Sequence, residues 1–429
     1  MKVLTVVYDL GPGGTQRVAQ NYAAGYAKAG LESAVLAYEG GGPRTAALRE
    51  RGIELFVGDP EKEGPDLDAV DRAASWGPDV VHVHREGDPN PRIGAVLYQL
   101  RQALPAASMV ETNVFSRADT TGTGRMFDLH LQLSTWCLWK WSRWTRYIRP
   151  EPVGIVLPNV VDSDAFRPAP EAAAAFRAGL GVPVDAVLFG RIGQPVAAKW
   201  MPLLFSSFAA VAEQEPRAHL LVVGLPDELR DDLSRMPGDI RRRVHVVSFL
   251  QGDEALRAAY SAIDVFAHAA TKGESFGMVL VESMLCETPV VTLSRVAHDN
   301  TQVEVVGHGV GGLVAADAAG FTEALVMLAR DADLRSRLGR GGAARVRARY
   351  DADVVLPKLV RAIEAVRAAP SRSALRARLR ELGFATSVSP ADVRSLAATG
   401  LGRTPVRERV LSTLVHQPAL YRLWRRIRG

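Results

Sequence analysis

The sequence predicts an α/β protein of two doubly wound, Rossmann-like domains facing a central cleft, followed by a basic helical extension. Three observations carry that expectation. Short β-branched runs alternate with amphipathic stretches, the pattern of βαβ units and a parallel sheet. The alternation comes in two series separated by a proline-marked segment, and 429 residues with 47% hydrophobic content suffice for two full cores. After Pro370 the composition changes: Ser371 to Gly429 holds twelve Arg, no Lys and three acids.

In the first series the β-branched runs place strands at 2–8, 33–38, 53–57, 80–85, 108–113, 129–134 and 154–157. Amphipathic stretches place helices between them at 15–29, 42–51, 67–76, 91–104 and 135–147. Pro158-Asn159-Val160-Val161-Asp162 and Phe166-Arg167-Pro168-Ala169-Pro170 form a turn and linker, so the joint falls near 162–175. The second series has strands at 186–190, 219–224, 244–249, 265–268, 290–294 and 312–315, completed by helices at 321–330, 333–350 and 353–368. The expected domains are 1–165, 175–370 and the Arg-rich helical tail 371–429.

The net charge of +5 is unevenly spread, because the tail carries +9 and residues 1–370 carry −4. A mildly acidic body argues against a nucleic-acid binder. Cys137 and Cys286 are the only cysteines, which fits a reduced cytoplasmic compartment and no metal cluster. The run Met1 to Val7 is broken at once by Tyr8-Asp9 and is not expected to be a signal segment. No segment approaches the roughly 20 apolar residues that span a bilayer.

The most informative ten residues are Gly273-Glu274-Ser275-Phe276-Gly277-Met278-Val279-Leu280-Val281-Glu282. Ser275 reads as the N-cap of a helix reaching about Cys286, and the free amides of Phe276, Gly277 and Met278 would favour an anion. Glu282 falls two turns in, roughly 10 Å from the helix mouth. Among Val279, Leu280, Val281, Met284 and Leu285 its carboxylate needs a polar partner, and a ribose diol would serve. Alternatively, Glu282 pairs with a neighbouring Arg and Glu274 is a solvated loop charge.

Two further loops follow the first strand of each series. Gly11-Pro12-Gly13-Gly14-Thr15-Gln16-Arg17 allows close approach of an anion but is not G-x-G-x-x-G, since position 16 is Gln. In Gly190-Arg191-Ile192-Gly193-Gln194-Pro195-Val196-Ala197-Ala198-Lys199, a bidentate Arg191 and a point-charge Lys199 would suit a diphosphate.

These motifs, in order with Val156-Leu157-Pro158-Asn159-Val160-Val161-Asp162, Val223-Gly224, Ala262-Ile263-Asp264-Val265-Phe266 and Cys286-Glu287-Thr288-Pro289-Val290-Val291, resemble the retaining glycosyltransferases of GT-B fold, family 4 (group 1). The resemblance runs from Lys2 to about Tyr350. It implies transfer of a sugar from a nucleoside-diphosphate sugar to an acceptor hydroxyl, with the donor on the second domain and the acceptor on the first. Catalytic roles fall to Glu274 at the donor sugar and to Arg191 and Lys199 at the diphosphate. Glu282 would hold the ribose, and Gly224, Phe249 and Leu250 would border the nucleotide. Ser275, Phe276, Gly277 and Met278 supply the helix mouth, while Gly13 and Gly14 would lie near the reacting sugar. On the acceptor side the candidates are Gln16, Arg17, His84 and Asn113. Asn113 stands where many members have a histidine, Glu287 replaces a usual glycine, and the Arg191 to Lys199 gap is long and contains Pro195.

The pairs Asp66/Asp68, Asp162/Asp164, Asp331/Asp333 and Asp351/Asp353 read as turns and helix caps rather than metal motifs. The cationic pair and the helix mouth supply the positive charge a metal would, so neither metal nor cofactor is expected beyond the nucleotide-sugar co-substrate. Trp136, Trp139, Trp141 and Trp144 alternate with Lys140, Arg143, Arg146 and Arg149. One face, with Cys137, Trp141, Trp144 and Ile148, suits the core; the rest suits core, an acceptor sugar or peripheral membrane contact. The segment 418–428 could bind anionic lipid or pack back on the acidic body. An epimerase or glycoside phosphorylase on the same plan, or a noncatalytic sugar-nucleotide or membrane-surface binder, are the competing readings.

Overall fold

The computed structural model describes residues 1–248, 250, 252–418 and 420. They divide into two compact units, the first Met1–Val161 with Tyr350–Ser389, the second Asp162–Arg349 with Pro390–Gly429.

The first unit is built on seven parallel strands: β1 (Lys2–Val7), β2 (Glu32–Ala37), β3 (Glu54–Val57), β4 (Val80–Arg85), β5 (Ser108–Asn113), β6 (Leu129–Gln132) and β7 (Gly154–Val156). Their order is β3-β2-β1-β4-β5-β6-β7, so the winding reverses beside β1, as a doubly wound sheet requires. Each expected strand of this series forms within two residues of its expected bounds.

Central strands β4 and β5 are buried along their whole length yet carry polar residues, and each buried ion is paired. Glu111 accepts from Arg85 Nε at 2.5 Å and from His130 Nδ1, while Arg85 Nη1 reaches Asp119 at 2.9 Å. Burial alone would raise the Glu111 carboxyl, but the Arg85 guanidinium and then His130 outweigh it and hold it below the usual range. His82 sits between the Tyr26 hydroxyl at 2.9 Å and Thr112 Oγ1 at 2.8 Å.

On the helix Thr135–Thr145, Trp136, Cys137, Leu138 and Trp141 are buried, whereas Trp139 and Trp144 are half-buried. The core face is therefore rotated from the expected one: Trp136 is on it, and Trp144 and Ile148 are only partly covered.

The helix Ala352–Ala368 belongs to the first unit, not to the second as the contiguous bounds 175–370 anticipate. Tyr350 O accepts from the Val161 amide at 2.8 Å, Val161 O accepts from the Ala352 amide at 3.1 Å, and Asp353 pairs with Lys28 at 2.8 Å. The tail is likewise shared. Its first helix, Arg372–Glu381, lies on the first unit, with Arg372 Nη1 donating to Pro150 O at 3.0 Å and Arg376 Nη2 to Pro152 O at 3.1 Å. Helical periodicity shows which face is apolar; it does not name the sheet that face covers.

The second unit has six parallel strands: β8 (Val187–Ile192), β9 (Ala218–Val223), β10 (Val244–Val247), β11 (Val265–His268), β12 (Val290–Leu293) and β13 (Gly312–Ala315). Their order β10-β9-β8-β11-β12-β13 reverses beside β8. Phe189, Trp200, Phe205, Phe208 and Phe321 fill the core on one face. Leu401 adds a single bridge at β13, its amide donating to Val314 O at 2.8 Å and its carbonyl accepting from Ala316 at 2.7 Å. No helix among the described residues is long and apolar enough to cross a membrane. The expected helix at 418–428 lies for the most part outside the described residues.

Removing one partner of a buried ion pair strands the other, so Glu111→Ala is expected to lower stability by about 3–5 kcal/mol in urea unfolding at neutral pH. Because the folded Glu111 is depressed below its ordinary 4.5, its contribution is present above that pH and is lost as pH falls. The gap between wild type and variant should therefore narrow on acidification; a pH-independent gap would contradict this assignment.

Candidate functional site

Strand β11 ends at His268, and the chain then turns through residues 269–277 into the helix Met278–Leu285. The expected N-cap Ser275 is corrected to Gly277, which takes the left-handed conformation at φ 89° and starts the helix at Met278. Only a glycine adopts that backbone without strain, so the turn is set after Ser275 rather than at it. Ser275, Phe276 and Gly277 are all buried in this turn.

The loop is stapled to residues 293–302. Asp299 N donates to Lys272 O at 3.1 Å, Thr301 N to Glu274 O at 3.1 Å, and Glu274 N to Gln302 Oε1 at 3.0 Å. Gln302 is itself held, giving its Nε2 to Leu293 O at 2.9 Å. Both backbone polar groups of Glu274 are thus fixed before its side chain is considered.

That side chain is 5% exposed and sits between two bases. Lys199 Nζ lies 2.6 Å from Oε2, and His268 Nε2 lies 3.3 Å from Oε1. Burial would raise the carboxyl, yet the Lys199 ammonium and His268 outweigh it and hold Glu274 well below the carboxylate range. His268 is pushed down to about 4, first by burial and then by Arg191, so it is neutral at physiological pH. With its proton on Nε2, it donates to Glu274 and accepts from Thr292 Oγ1 at 3.0 Å.

Arg191 ends β8 one residue early and is 1% exposed. Its Nη1 donates to Ile192 O at 2.7 Å and its Nη2 to Lys199 O at 2.6 Å, while the guanidinium lies 5.0 Å from the Trp200 ring centroid. Burial lowers it to about 10, which leaves it cationic at neutral pH. In this arrangement Arg191 holds the backbone that presents Lys199. Trp200 Nε1 closes the same loop onto Gln194 O at 2.8 Å, and Thr271 Oγ1 ties it to the acidic loop through Trp200 O at 2.7 Å.

Glu282 is buried on the helix and accepts from the Tyr260 hydroxyl at 3.0 Å, a partner the sequence reading did not foresee. Gly224 follows β9 at φ +78°, and a Cβ there would stand 2.0 Å from Gly193 O, so the loops after β8 and β9 approach through backbone alone. Leu250 is half-buried, and Phe249 lies outside the described residues.

The remaining candidates belong to the first unit. Gly13 precedes the helix Gly14–Lys28 and its carbonyl accepts from the Arg17 amide at 3.1 Å. Gln16 Nε2 donates to Asp9 Oδ1 at 2.6 Å and is 3% exposed. His84 is a buried strand residue packed 4.4 Å from the His82 ring and 5.2 Å from Tyr22, and burial drives it well below its ordinary value. Asn113 closes a loop, donating to Arg117 O at 2.8 Å and accepting from Arg117 N at 3.1 Å. The structure thus gathers Arg191, Lys199 and Glu274 into one cluster, and occupies the side chains of Gln16 and Asn113 within their own unit. His268 and Gln302 were missed. His268 was legible as the last residue of the strand feeding the acidic loop, whereas nothing in the sequence indicates that Gln302 folds back on Glu274.

Residues 183–331 match the family model described as Glycosyl transferases group 1. The similarity to that family thus covers a segment that lies wholly within the second unit. Over 223 residues the chain is 34% identical to the phosphatidyl-myo-inositol mannosyltransferase of Mycobacterium leprae, covering 51% of this chain and 55% of that one. Over 203 residues it is 34% identical to the D-inositol 3-phosphate glycosyltransferase of Saccharomonospora viridis, covering 45% of each. The chain therefore spans about half the length of the curated relatives it matches. Among solved structures, Anabaena Alr3699/HepE in complex with UDP-glucose aligns with a TM-score of 0.66 at 18% identity, over 85% of this chain and 100% of that one. Sucrose-phosphate synthase from Thermosynechococcus elongatus aligns with a TM-score of 0.62 at 19% identity, over 85% and 99%. The fold is GT-B, as the motif order implied. The candidates Arg191, Lys199, Glu274 and Glu282 all fall inside the matched segment.

With Glu274 held low and His268 near 4, neither group of the domain should titrate between pH ~5 and ~8. Ring NMR of His268 is expected to show a neutral imidazole throughout that window; a midpoint near the ordinary 6.5 would contradict the geometry.

Proposed function

We propose that the protein is a retaining glycosyltransferase that moves a sugar from a nucleoside-diphosphate sugar to an acceptor hydroxyl. The observation that carries this reading is the 2.6 Å pairing of Lys199 with Glu274 at the start of the helix that also bears Glu282. An ammonium, an anchored carboxylate and a helix N-terminus in one place provide contacts for a diphosphate and for sugar hydroxyls together. Glu282, just over one turn along, is assigned to the ribose, with the Tyr260 hydroxyl as its companion.

In the proposed reaction the bond from the anomeric carbon to the diphosphate oxygen breaks while the acceptor oxygen bonds to the same face of that carbon. The acceptor proton passes to the departing phosphate. Lys199 and the amides at the helix mouth stabilise the negative charge that develops there, and Arg191 keeps Lys199 in place. Glu274 is ionised and bound to a cation, which suits holding hydroxyls and not donating a proton. No metal is assigned a part. The similarity to a phosphatidyl-myo-inositol mannosyltransferase and a D-inositol 3-phosphate glycosyltransferase, and to HepE, solved with UDP-glucose, supports sugar transfer to a hydroxyl and a nucleotide-sugar donor.

A thermal-shift panel of nucleoside diphosphates and their sugars tests the donor assignment, since a ligand that binds only the folded state raises the midpoint. At least one nucleotide is expected to do so; none at millimolar concentration would overturn it. With that donor labelled, Lys199→Ala is expected to reduce transfer by about a hundredfold to a thousandfold with the fold retained. Complete conversion of the donor without any acceptor would instead favour an epimerase. The anomeric configuration of the product, read by NMR, decides retention.

A further inference from the structure

The tail of the second unit grips three consecutive residues, Arg295, Val296 and Ala297, of the segment stapled to the Glu274 loop. After Leu401 joins the edge of β13, Arg403 N donates to Asp317 Oδ2 at 2.9 Å. Gly402 makes this turn at φ +82°, where a Cβ would stand 2.3 Å from the Asp317 carboxylate. The chain then enters the helix Val406–Val415.

Glu408, Ser412 and His416 are spaced four apart and so share one stripe of that helix. Glu408 Oε1 accepts from Ala297 N at 3.2 Å, and Oε2 lies 3.6 Å from Arg295 Nη1. Ser412 Oγ donates to Val296 O at 2.8 Å, and His416 Nε2 reaches the same carbonyl at 3.0 Å. The stripe thus holds Arg295, Val296 and Ala297, which begin the segment 295–302.

That segment is the one stapled to the acidic loop. Arg295 Nε donates to Thr271 O at 3.1 Å, and Asn300 Oδ1 accepts from Arg295 N at 2.6 Å. Asp299, Thr301 and Gln302 then fix Lys272 and Glu274 as described above. The path from the tail to the Glu274 backbone is therefore continuous: Glu408 pairs with Arg295, Arg295 N donates to Asn300 Oδ1, Gln302 Nε2 donates to the same oxygen at 3.3 Å, and Gln302 Oε1 accepts from Glu274 N.

We propose that the tail helix Val406–Val415 is a built-in brace of the donor site, with Glu408 and Ser412 on it and His416 at its C-cap as positioning residues that set the placement of Glu274. This rests on the donor assignment above. The tail's contribution then differs from a general stabilising one: it acts on the sugar-contacting loop and leaves strands β8 and β9 untouched.

The test compares wild type, Glu408→Ala, Glu408→Gln and Ser412→Ala in the full chain by amide hydrogen exchange and by titration with the nucleotide sugar from the panel and its parent nucleoside diphosphate. In Glu408→Ala the amides of Glu274, Ala297 and Thr301 are expected to exchange faster, while those of 187–192 do not change. Affinity for the sugar nucleotide should fall about three- to tenfold, with a smaller effect on the bare diphosphate. Glu408→Gln, which keeps an acceptor for Ala297 N, should recover most of that loss. Unchanged exchange at Glu274 and Thr301 with unchanged affinity overturns the brace. If Glu408→Ala does not fold, Ser412→Ala carries the same two readouts. A wild type that binds no nucleotide would defeat the donor assignment alone, and the exchange comparison would still decide the brace.

Discussion

A buried carboxylate with no freedom to move organises the second unit. Glu274 is tied through its amide to Gln302, through its carbonyl to Thr301, and through its two oxygens to Lys199 and His268. An ionised acid so far from water is tolerable only when every lone pair has a partner, and each partner is in turn anchored. Arg191 holds the carbonyl of Lys199, Thr292 orients His268, and Leu293 fixes Gln302. The loops after β8, β11 and β12 consequently form one rigid platform. A site organised this way can meet a charged ligand without rearranging its own dipoles, which is where binding energy in such sites originates.

The first unit handles buried charge by a different rule. Its central strands carry Arg85, Glu111 and His130 on β4, β5 and β6, where the Arg85 and Glu111 ions neutralise one another in the sheet and His130 Nδ1 bonds to Glu111. Asp119, held by the hydroxyls of Thr121 and Thr123, completes the group. This is a closed arrangement in which the charges face each other, while Lys199, with more than a third of its side chain exposed, keeps one side of the Glu274 cluster open.

The strands and their parallel order were legible because β-branched runs and their spacing report directly on burial in a two-sided sheet. That Arg191, Lys199 and Glu274 come together was legible because Arg191 lies at a strand end and the other two in the loops that follow strand ends of one sheet. What could not be read was anything decided by backbone return. Gly277 displaces Ser275 as the cap because of a left-handed turn that composition does not reveal. Gln302 and Tyr260 partner the two acids from helices whose packing is tertiary. The assignment of residues 350–389 to the first unit depends on which apolar surface is left uncovered, and amphipathicity alone is silent on that. Arg191 was legible as a cation at the site; that both of its Nη groups are spent on backbone carbonyls was not.

The chain passes from the first unit to the second at Val161, returns at Tyr350 and leaves again after Ser389. During synthesis from the N-terminus, the seven strands of the first sheet emerge long before the helices at 352–368 and 372–381 that cover it. Most of the second unit, Asp162–Arg349, is made in the interval, and its sheet can assemble before those helices appear. The unit whose strands are made first thus stays open while most of the other is being made. Its exposed apolar surface must wait through some two hundred residues of translation, between Val161 and Tyr350, for its own closing helices.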